Sequence, residues 1–140
     1  MNISKFTQKS VQAVQDLEKV AYEYGNQEIE EEHLLYALLT QEDSLILKLI
    51  EKMEIQKEYF IDTVKKALDA RVKVSGGELR FGQYLNKALV SAEDEAKAMG
   101  DEYVSVEHLF LSMLKNPSPS MKKLFNEFGI TRERFLQALS

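Results

Sequence analysis

The chain lacks cysteine altogether, so it forms no disulfide bond and offers no thiolate ligand to a metal. It also lacks a long apolar run, because its apolar stretches are far shorter than the ~20 residues that a membrane-spanning helix needs. The N-terminal residues show no basic stretch followed by a long apolar segment, which is the pattern of a secretory signal. We therefore expect a cytoplasmic protein that does not bind a membrane.

Motifs of three common enzyme classes are missing as well. There is no GxxxxGKS or GxxxxGKT loop for nucleotide phosphates, no HExxH zinc motif and no GxSxG nucleophile turn. His33 and His108 are the only histidines, and without a third nitrogen ligand they make a weak zinc site. The better interpretation is two structural histidines at helix starts. We predict that this chain is not an enzyme and binds no metal or cofactor.

Basic residues are outnumbered, and the net charge is −5. Residues 1–65 carry 7 Lys and Arg against 13 Asp and Glu, whereas residues 66–140 carry 11 against 10. An acidic chain without a basic stripe is a poor nucleic-acid binder, so no such partner is expected. The acidic run 28–32 is typical of a helix N-terminus, where carboxylates interact favourably with the helix dipole.

What the chain does contain is an internal repeat. Residues 1–65 and 76–140 align without a gap at a constant offset of 75, with 15 identities in 65 positions. Chance would give about 4, since each common residue type makes up a few per cent of a chain. A repeat of this kind indicates a scaffold with two similar surfaces rather than one asymmetric catalytic cleft. The identities include Phe6 with Phe81, Gly25 with Gly100, and residues 32–34 with 107–109.

Apolar positions recur at helical spacing and favour four helices in each unit. The predicted fold class is all-α, a tandem repeat of two four-helix units (eight helices) related by pseudo-two-fold symmetry. A unit of this size has a marginal core alone, so we expect the two to pack face to face as one domain, 1–140. Repeat one is 1–65, repeat two is 76–140, and the connector, with its flexible point at Gly76-Gly77, is 66–80.

Helix boundaries follow from a few residues. The first helix is predicted over about 4–24, capped by Ser4, and Gly25 suits the left-handed residue after its end. Gly100 is predicted to end the equivalent helix of unit two. Pro117 and Pro119 are predicted to break the chain before a helix over 121–128.

The remaining functional signal is partner binding. Side chains near the starts of the two first helices are candidates for a shallow apolar groove that takes an extended or helical apolar segment. For Phe6, Val14 and Leu85 a core position is the better interpretation, whereas Val11 lies off the main apolar stripe and is predicted to be exposed. The whole candidate groove comprises Phe6, Val11, Val14, Tyr84, Leu85 and Leu89.

The duplication, the Phe6-Thr7 opening, the two Glu-His-Leu runs and the segment 100–109 resemble the Clp N-terminal repeat family. This is the all-helical module that precedes the ATPase rings of Clp unfoldases, and the resemblance is greatest to the ClpB disaggregases. It implies a piece of a longer ATPase chain that captures unfolded or aggregated polypeptide. It also implies ATP and Mg in the absent ATPase modules, a hexameric full-length protein working with a DnaK-type chaperone system, and a monomeric isolated domain.

The resemblance also implies particular site residues. Thr7, Asp101 and Glu107 match polar positions linked to chaperone function in this family. Ser91 and Glu95 stand where related domains tend to have leucines, so the apolar wall is expected to be shorter or shifted. Combined with the groove, the candidate substrate-binding residues are Thr7, Val11, Tyr84, Leu89, Asp101 and Glu107.

ClpC members of the family imply an alternative, an adaptor or phosphoarginine-binding N-domain that feeds a protease. There a basic residue and a threonine hold the phosphate while a glutamate holds the guanidinium, a selective pair of charge-assisted contacts. Lys5, however, offers a point charge rather than a fork, and the neighbouring Glu30 and Glu31 would repel phosphate. The matching sets are Lys5, Thr7 and Glu32 in unit one, and Arg80, Gly82 and Glu107 in unit two, where the threonine is missing.

Overall fold

The computed structural model describes residues 2–140. It consists of α-helices with one short 3-10 helix at Ile3–Lys5 and two strands of two residues each. The helices are α1 (Gln8–Gln15), α2 (Leu17–Glu23), α3 (Glu31–Leu39), α4 (Leu45–Lys52), α5 (Lys57–Asp69), α6 (Gln83–Ala98), α7 (Val106–Lys115), α8 (Pro119–Glu127) and α9 (Arg132–Leu139). The strands are β1 (Glu28–Ile29) and β2 (Arg80–Phe81).

The first helix starts later than the sequence predicts. Thr7, not Ser4, is its N-cap, and the Thr7 hydroxyl accepts a hydrogen bond from the Ser10 amide at 3.3 Å. The backbone just before Thr7 is extended because it pairs with unit two. Asp16 interrupts the helix, so α1 and α2 are two segments of the one predicted helix. Counted as one, they leave eight helices in the described residues, which confirms the all-α prediction.

The repeat is visible in the helix packing. At the offset of 75 the segments α1–α2, α3, α4 and α5 correspond to α6, α7, α8 and α9. Helix α1 packs on α7 while α6 packs on α3, and α4 packs on α9 while α5 packs on α8. Exchanging the two units converts each of these contacts into another observed contact. This exchange is the signature of the predicted pseudo-two-fold relation.

Short extended segments cross between the units in the same symmetric way. Ile29 pairs in parallel with Phe81, and Phe6 pairs in parallel with Val104. Adding 75 to Ile29 gives Val104, and subtracting 75 from Phe81 gives Phe6, so the two pairings are equivalent. The residues that precede the first helix of each unit therefore lie against the other unit.

One core runs through both units. The Phe110 and Phe135 rings stack with centroids 4.4 Å apart, and Phe60 meets Phe128 edge to face at 4.9 Å. Such aromatic pairs contribute about 0.5–1.5 kcal/mol beyond the area they bury. The largest fully buried side chains come from both repeats and include Leu17, Ile29, Leu34, Leu38, Ile46, Ile50, Phe60, Leu68, Phe110 and Phe135.

Helix ends follow the predicted glycines, and Pro117 lies in the predicted break between α7 and α8. Gly25 and Gly100 adopt the left-handed conformation, with φ of 68° and 74°, directly after the first helix of each unit. Pro119 does not break the chain but starts α8, because a proline at the first helical position needs no amide hydrogen bond. Ser118 caps that helix by accepting from the Met121 amide.

Helix α5 continues through Asp69, so residues 70–79 join it to strand β2. None of the helices of residues 2–140 is both long and apolar enough to cross a membrane.

Candidate functional site

Most of the candidate polar residues lie at the two places where the units cross. We define the first crossing as residues 5–7 against residues 101–108, and the second crossing as residues 80–82 against residues 26–33. The two are related by the repeat, so differences between them show where the molecule departs from its own symmetry. Thr7, Asp101 and Glu107 belong to the first crossing, whereas Glu32, Arg80 and Tyr84 lie at or beside the second.

A chain of hydrogen bonds holds the first crossing. The Thr7 amide donates to the Val104 carbonyl at 3.0 Å, and the Val104 amide donates to the Lys5 carbonyl at 2.8 Å. His108, in the first turn of α7, continues this chain of hydrogen bonds. Its Nδ1 accepts from the Ser105 amide at 2.9 Å, and its Nε2 lies 2.8 Å from an Asp101 carboxylate oxygen. Because Nδ1 accepts, Nε2 carries the proton and donates to Asp101. Asp101 therefore fixes the ring that orders the start of α7.

The first crossing is open to solvent. The Asp101 side chain is 47% exposed, and Thr7 and Glu107 are half-buried. Tyr103, beside the paired Val104, is 53% exposed, and Ile3, just before the crossing, is 48% exposed. Neither of these apolar side chains is predicted from the sequence as a surface residue. Their signal was weak, because alternation around a single buried valine spans too few residues to mark a strand.

The second crossing is closed at the N-terminus of α6. Gly82 stands where unit one has Thr7 and has no side chain to cap the helix. The Glu30 carboxylate supplies the cap instead, accepting from the Leu85 amide at 2.7 Å and from the Tyr84 amide at 3.3 Å. A Cβ on Gly82 would overlap the Glu30 carboxyl group, so the glycine makes room for it. Burial raises the pKa of Glu30.

Arg71 pairs with two glutamates of the second crossing. The Arg71 guanidinium bonds Glu32 at 2.8 Å and Glu28 at 3.1 Å, and Arg80 lies 3.8 Å from Glu28. These four residues line one cavity of about 550 Å³ together with Asn26 and Ser120, among others. The Glu32 side chain is only 3% exposed, so its negative charge is neutralised within the protein.

The crossings regroup the residues of the phosphoarginine alternative. By repeat, the sequence groups Lys5 and Thr7 with Glu32, and Arg80 and Gly82 with Glu107. In the structure Lys5 and Thr7 lie against the segment that leads to Glu107, and Arg80 shares its cavity with Glu32. Because each unit's opening segment crosses to its neighbour, the structure favours sets that combine residues of both repeats.

The predicted apolar groove is largely core. Leu89 is 2% exposed and Leu85 is fully buried, so they offer no surface to a partner and Leu89 is corrected from site to core. The reason is that both lie on the inward face of α6 with Ala88 and Ala92. Val11 is half-buried against the core rather than exposed, and Tyr84 and Val14 are also half-buried.

The groove wall is polar at Glu95, one of the two positions where related domains are expected to have leucine. Glu95 is 3% exposed, and its carboxylate accepts a hydrogen bond from the Arg132 guanidinium at 2.6 Å. The ion pair of Glu95 with Arg132 of α9 therefore replaces an apolar contact at this position.

The histidine prediction is confirmed at both helix starts. His33 Nδ1 accepts from the Glu30 amide at 2.9 Å, and its Nε2 lies 2.9 Å from the Asn26 side-chain oxygen. Burial, helped by the nearby Arg71 charge, lowers the pKa of His33 to about 4. Within residues 2–140 no group of three or more His, Cys, Asp or Glu side chains is placed to hold a metal ion.

The sequence profile of the Clp repeat N-terminal domain matches residues 5–138. The chain belongs to this family. It is 39% identical to the chaperone ClpB of Nitratidesulfovibrio vulgaris over 99% of this chain and 17% of that protein, and 38% identical to ClpB of Clostridium tetani over the same shares. This Clp N-domain thus spans about a sixth of the length of those relatives.

Solved structures agree on the fold. The Hsp104 N-terminal domain of Candida albicans superposes with a TM-score of 0.82 at 21% identity, covering 97% of this chain and 90% of that one. A ClpV N-domain in complex with a VipB peptide gives a TM-score of 0.72 at 20% identity, covering 97% and 89%. The all-helical Clp N-domain fold is therefore shared with chaperone N-domains and with one that binds a peptide.

Proposed function

We propose that this chain is the substrate-recognition N-terminal domain of a ClpB-type, ATP-dependent disaggregase, and that it binds unfolded or aggregated polypeptide at the first crossing. The observation that carries the proposal is the inequivalence of the two crossings. The first crossing exposes the apolar side chains of Tyr103 and Ile3, whereas at the second Glu30 caps α6 and Arg71 pairs with Glu32.

The first crossing suits polypeptide rather than a small ligand. Tyr103 and Ile3 supply exposed apolar area, and Asp101 and Glu107 supply negative charge for lysine or arginine in the bound segment. The surface is open rather than enclosed, and an unfolded segment loses conformational freedom when it binds. We expect dissociation constants in the micromolar range or weaker (~1 μM and above), because that ordering cost offsets much of the gain.

The family relationship extends the proposal to the full-length protein. The longer chain would carry ATPase modules that bind ATP and Mg, form a hexamer and act with a DnaK-type chaperone system in the cytoplasm. The isolated domain would be monomeric and would catalyse no reaction itself, so the domain contributes capture and delivery of the client.

A ClpC-like phosphoarginine or adaptor site ranks second. At the second crossing, protein groups already bond the positions that this ligand would need. The Glu30 carboxylate accepts from an amide at the N-terminus of α6, where the phosphate would bind, and Arg71 pairs with Glu32, which would bind the guanidinium. Titrating free phosphoarginine while following the amides of residues 5–7, 32, 80 and 107 tests this alternative. Saturable shifts at either crossing would move it ahead, and unchanged spectra would remove it.

Substitution of Tyr103 tests the proposed surface. Tyr103→Ala removes a ring that is 53% exposed and lies outside the core, so we expect unchanged helicity and about tenfold weaker binding to a permanently unfolded client such as casein. Val90→Ala is the matched control, because Val90 is 60% exposed on α6 and lies outside both crossings. Fluorescence anisotropy of labelled casein measures both. Equal affinities for Tyr103→Ala and wild type would contradict the proposed surface.

A further inference from the structure

A second surface lies between helix α2 and the connector. Tyr22 is 82% exposed there, the highest value for a large hydrophobic side chain in residues 2–140. Two adjoining hollows, of about 450 and 290 Å³, share Tyr22 and the half-buried Leu79 as lining. We call Tyr22, Leu79 and residues 75–78 the connector surface. It lies apart from the exposed residues of the first crossing along the chain and shares no residue with it.

Hydrogen bonds hold both ends of the connector on unit one. The Val74 amide donates to the Gly25 carbonyl at 2.9 Å, and the Asn26 side chain donates to the Val72 carbonyl at 3.1 Å. At the other end the Arg80 amide donates to the Gln27 carbonyl at 3.0 Å. Residues 75–79 therefore span a frame whose two ends are held in place.

The backbone between those ends is free to bond a ligand. In the described chain none of the amides of residues 75–79 donates to a protein acceptor, and none of their carbonyls accepts. Gly76 and Gly77 adopt the left-handed conformation, with φ of 78° and 85°, and no other group lies within 4 Å of the position that a Cβ on Gly76 would take. An extended peptide can use such groups for main-chain hydrogen bonds.

Charge at the connector surface is negative. Glu18, Glu23 and Glu78 are exposed around it, against one nearby base, Lys19. The Lys73 ammonium keeps its positive charge but lines neither hollow, and it donates to the Tyr24 carbonyl at 2.6 Å and to the Leu68 carbonyl at 3.3 Å. A ligand that carries lysine or arginine therefore gains electrostatic attraction at the rim, which steers association and selects partners.

The repeat does not reproduce this surface. Tyr22 corresponds to Lys97 in unit two, and the connector occurs once in the described chain. The exposure of Tyr22 is thus not a by-product of the repeat, which would place a second aromatic at the equivalent position.

We propose that the connector surface docks an extended peptide segment in which large apolar residues are flanked by lysine or arginine. The apolar side chains lie against Tyr22 and Leu79, the peptide backbone bonds the free groups of residues 75–79, and the basic residues face Glu18 and Glu23. This docking is independent of client binding at the first crossing, so either can fail without the other.

A labelled nonapeptide tests the docking by fluorescence anisotropy. The probe has the sequence Lys-Ser-Lys-Leu-Phe-Leu-Lys-Ser-Lys, and its control replaces all four lysines with glutamate. We expect Tyr22→Ala to weaken binding of the lysine peptide about tenfold, since aromatic anchors dominate peptide interfaces. Val90→Ala, which changes an exposed side chain outside the connector surface and both crossings, should bind like wild type. The glutamate peptide should bind at least tenfold more weakly than the lysine peptide.

Three results would contradict docking at the connector surface. No binding of the lysine peptide, equal binding of both peptides, or an unchanged affinity in Tyr22→Ala would each contradict it. A loss in Tyr103→Ala as large as that in Tyr22→Ala would place the peptide at the first crossing instead. Leu79→Ser provides a second variant if Tyr22→Ala changes the circular dichroism spectrum, and it should also weaken the lysine peptide.

Discussion

At the scale of single residues, three consecutive glutamates have three different partners. Glu30 caps α6, the Glu31 carboxylate accepts from the Ser118 amide at 2.7 Å, and Glu32 bonds Arg71. The sequence predicts a run of carboxylates at a helix start, and the run does start α3. Two of the three, however, reach across to unit two, so the acidic run joins the repeats rather than simply complementing a helix dipole.

Glu31 should make stability fall as pH rises. It is fully buried, one of its oxygens has no hydrogen-bond partner within the described residues, and burial raises its pKa from 4.5 to about 8. The unfolded chain loses this proton above pH 4.5, while the folded chain keeps it until about pH 8. The free energy of unfolding therefore decreases between these values, by about 1.4 kcal/mol per unit of pKa difference.

Replacing Glu31 with glutamine removes that pH dependence. Glu31→Gln keeps an acceptor for the Ser118 amide but cannot ionise, so we expect a flatter profile between pH 4.5 and 8 and a more stable protein at pH 8. Urea unfolding at several pH values measures this, with the exposed Glu133→Gln as control. A parallel profile for wild type and Glu31→Gln would contradict the assignment.

His33 should stay neutral in mildly acidic solution. Its Nδ1 accepts from the Glu30 amide, and burial lowers its pKa to about 4, so the Nε2-protonated tautomer persists from pH 7 to pH 5. The nitrogen chemical shifts of the ring report this directly. We expect constant values over that range, and a titration midpoint near 6.5 would show that the ring is not held as described.

At the scale of elements, the helices could be predicted and the crossings could not. Apolar spacing and the glycines Gly25 and Gly100 locate helices because they repeat over many residues. The crossings consist of one or two paired residues, with partners far along the chain, and carry no periodic signal. For the same reason the sequence predicts Ser4 as the cap, whereas Thr7 caps α1 beside the pairing of Phe6 with Val104.

Substitutions at Gly82 and Glu30 test whether the Glu30 carboxyl group requires a glycine at the N-terminus of α6. Gly82→Ala should destabilise the protein by about 1–3 kcal/mol, because its Cβ would overlap the Glu30 carboxyl. At the offset of 75, Thr7 corresponds to Gly82 and Ser105 to Glu30. The double variant Gly82→Thr, Glu30→Ser therefore copies the first crossing and should recover much of the loss.

Thermal unfolding of the variants decides between steric conflict and a general loss of packing. Gly82→Ala combined with Glu30→Ser should also be more stable than Gly82→Ala alone. If both double variants are less stable than the single one, the overlap with Glu30 is not what requires glycine at residue 82.

At the scale of the whole molecule, the sequence predicts a symmetric pair, and the structure shows where the symmetry fails. The duplication predicts the fold class and the family, and the candidates Thr7, Asp101 and Glu107 lie at one crossing. The inequivalence of the crossings depends on Arg71, which lies in the connector. Spacing arguments could not assign it to Glu32.

Because the units exchange their opening segments, neither should fold alone. Residues 1–70 would lack the Val104 partner of Phe6, and residues 76–140 would lack the Ile29 partner of Phe81. We expect each fragment to show poorly dispersed amide spectra and a mixture of the two to regain helicity by circular dichroism. Cooperative unfolding of an isolated fragment would contradict a shared core.

The most direct test of the central claim is a nuclear magnetic resonance titration of the domain with a permanently unfolded client. The account predicts shifts in the amides of Thr7, Tyr103 and Glu107 at the first crossing, and none for Glu32 or Arg80 at the second. Shifts centred on the second crossing, or an unchanged spectrum at high client concentration, would contradict the claim that the first crossing is the open polypeptide-binding surface.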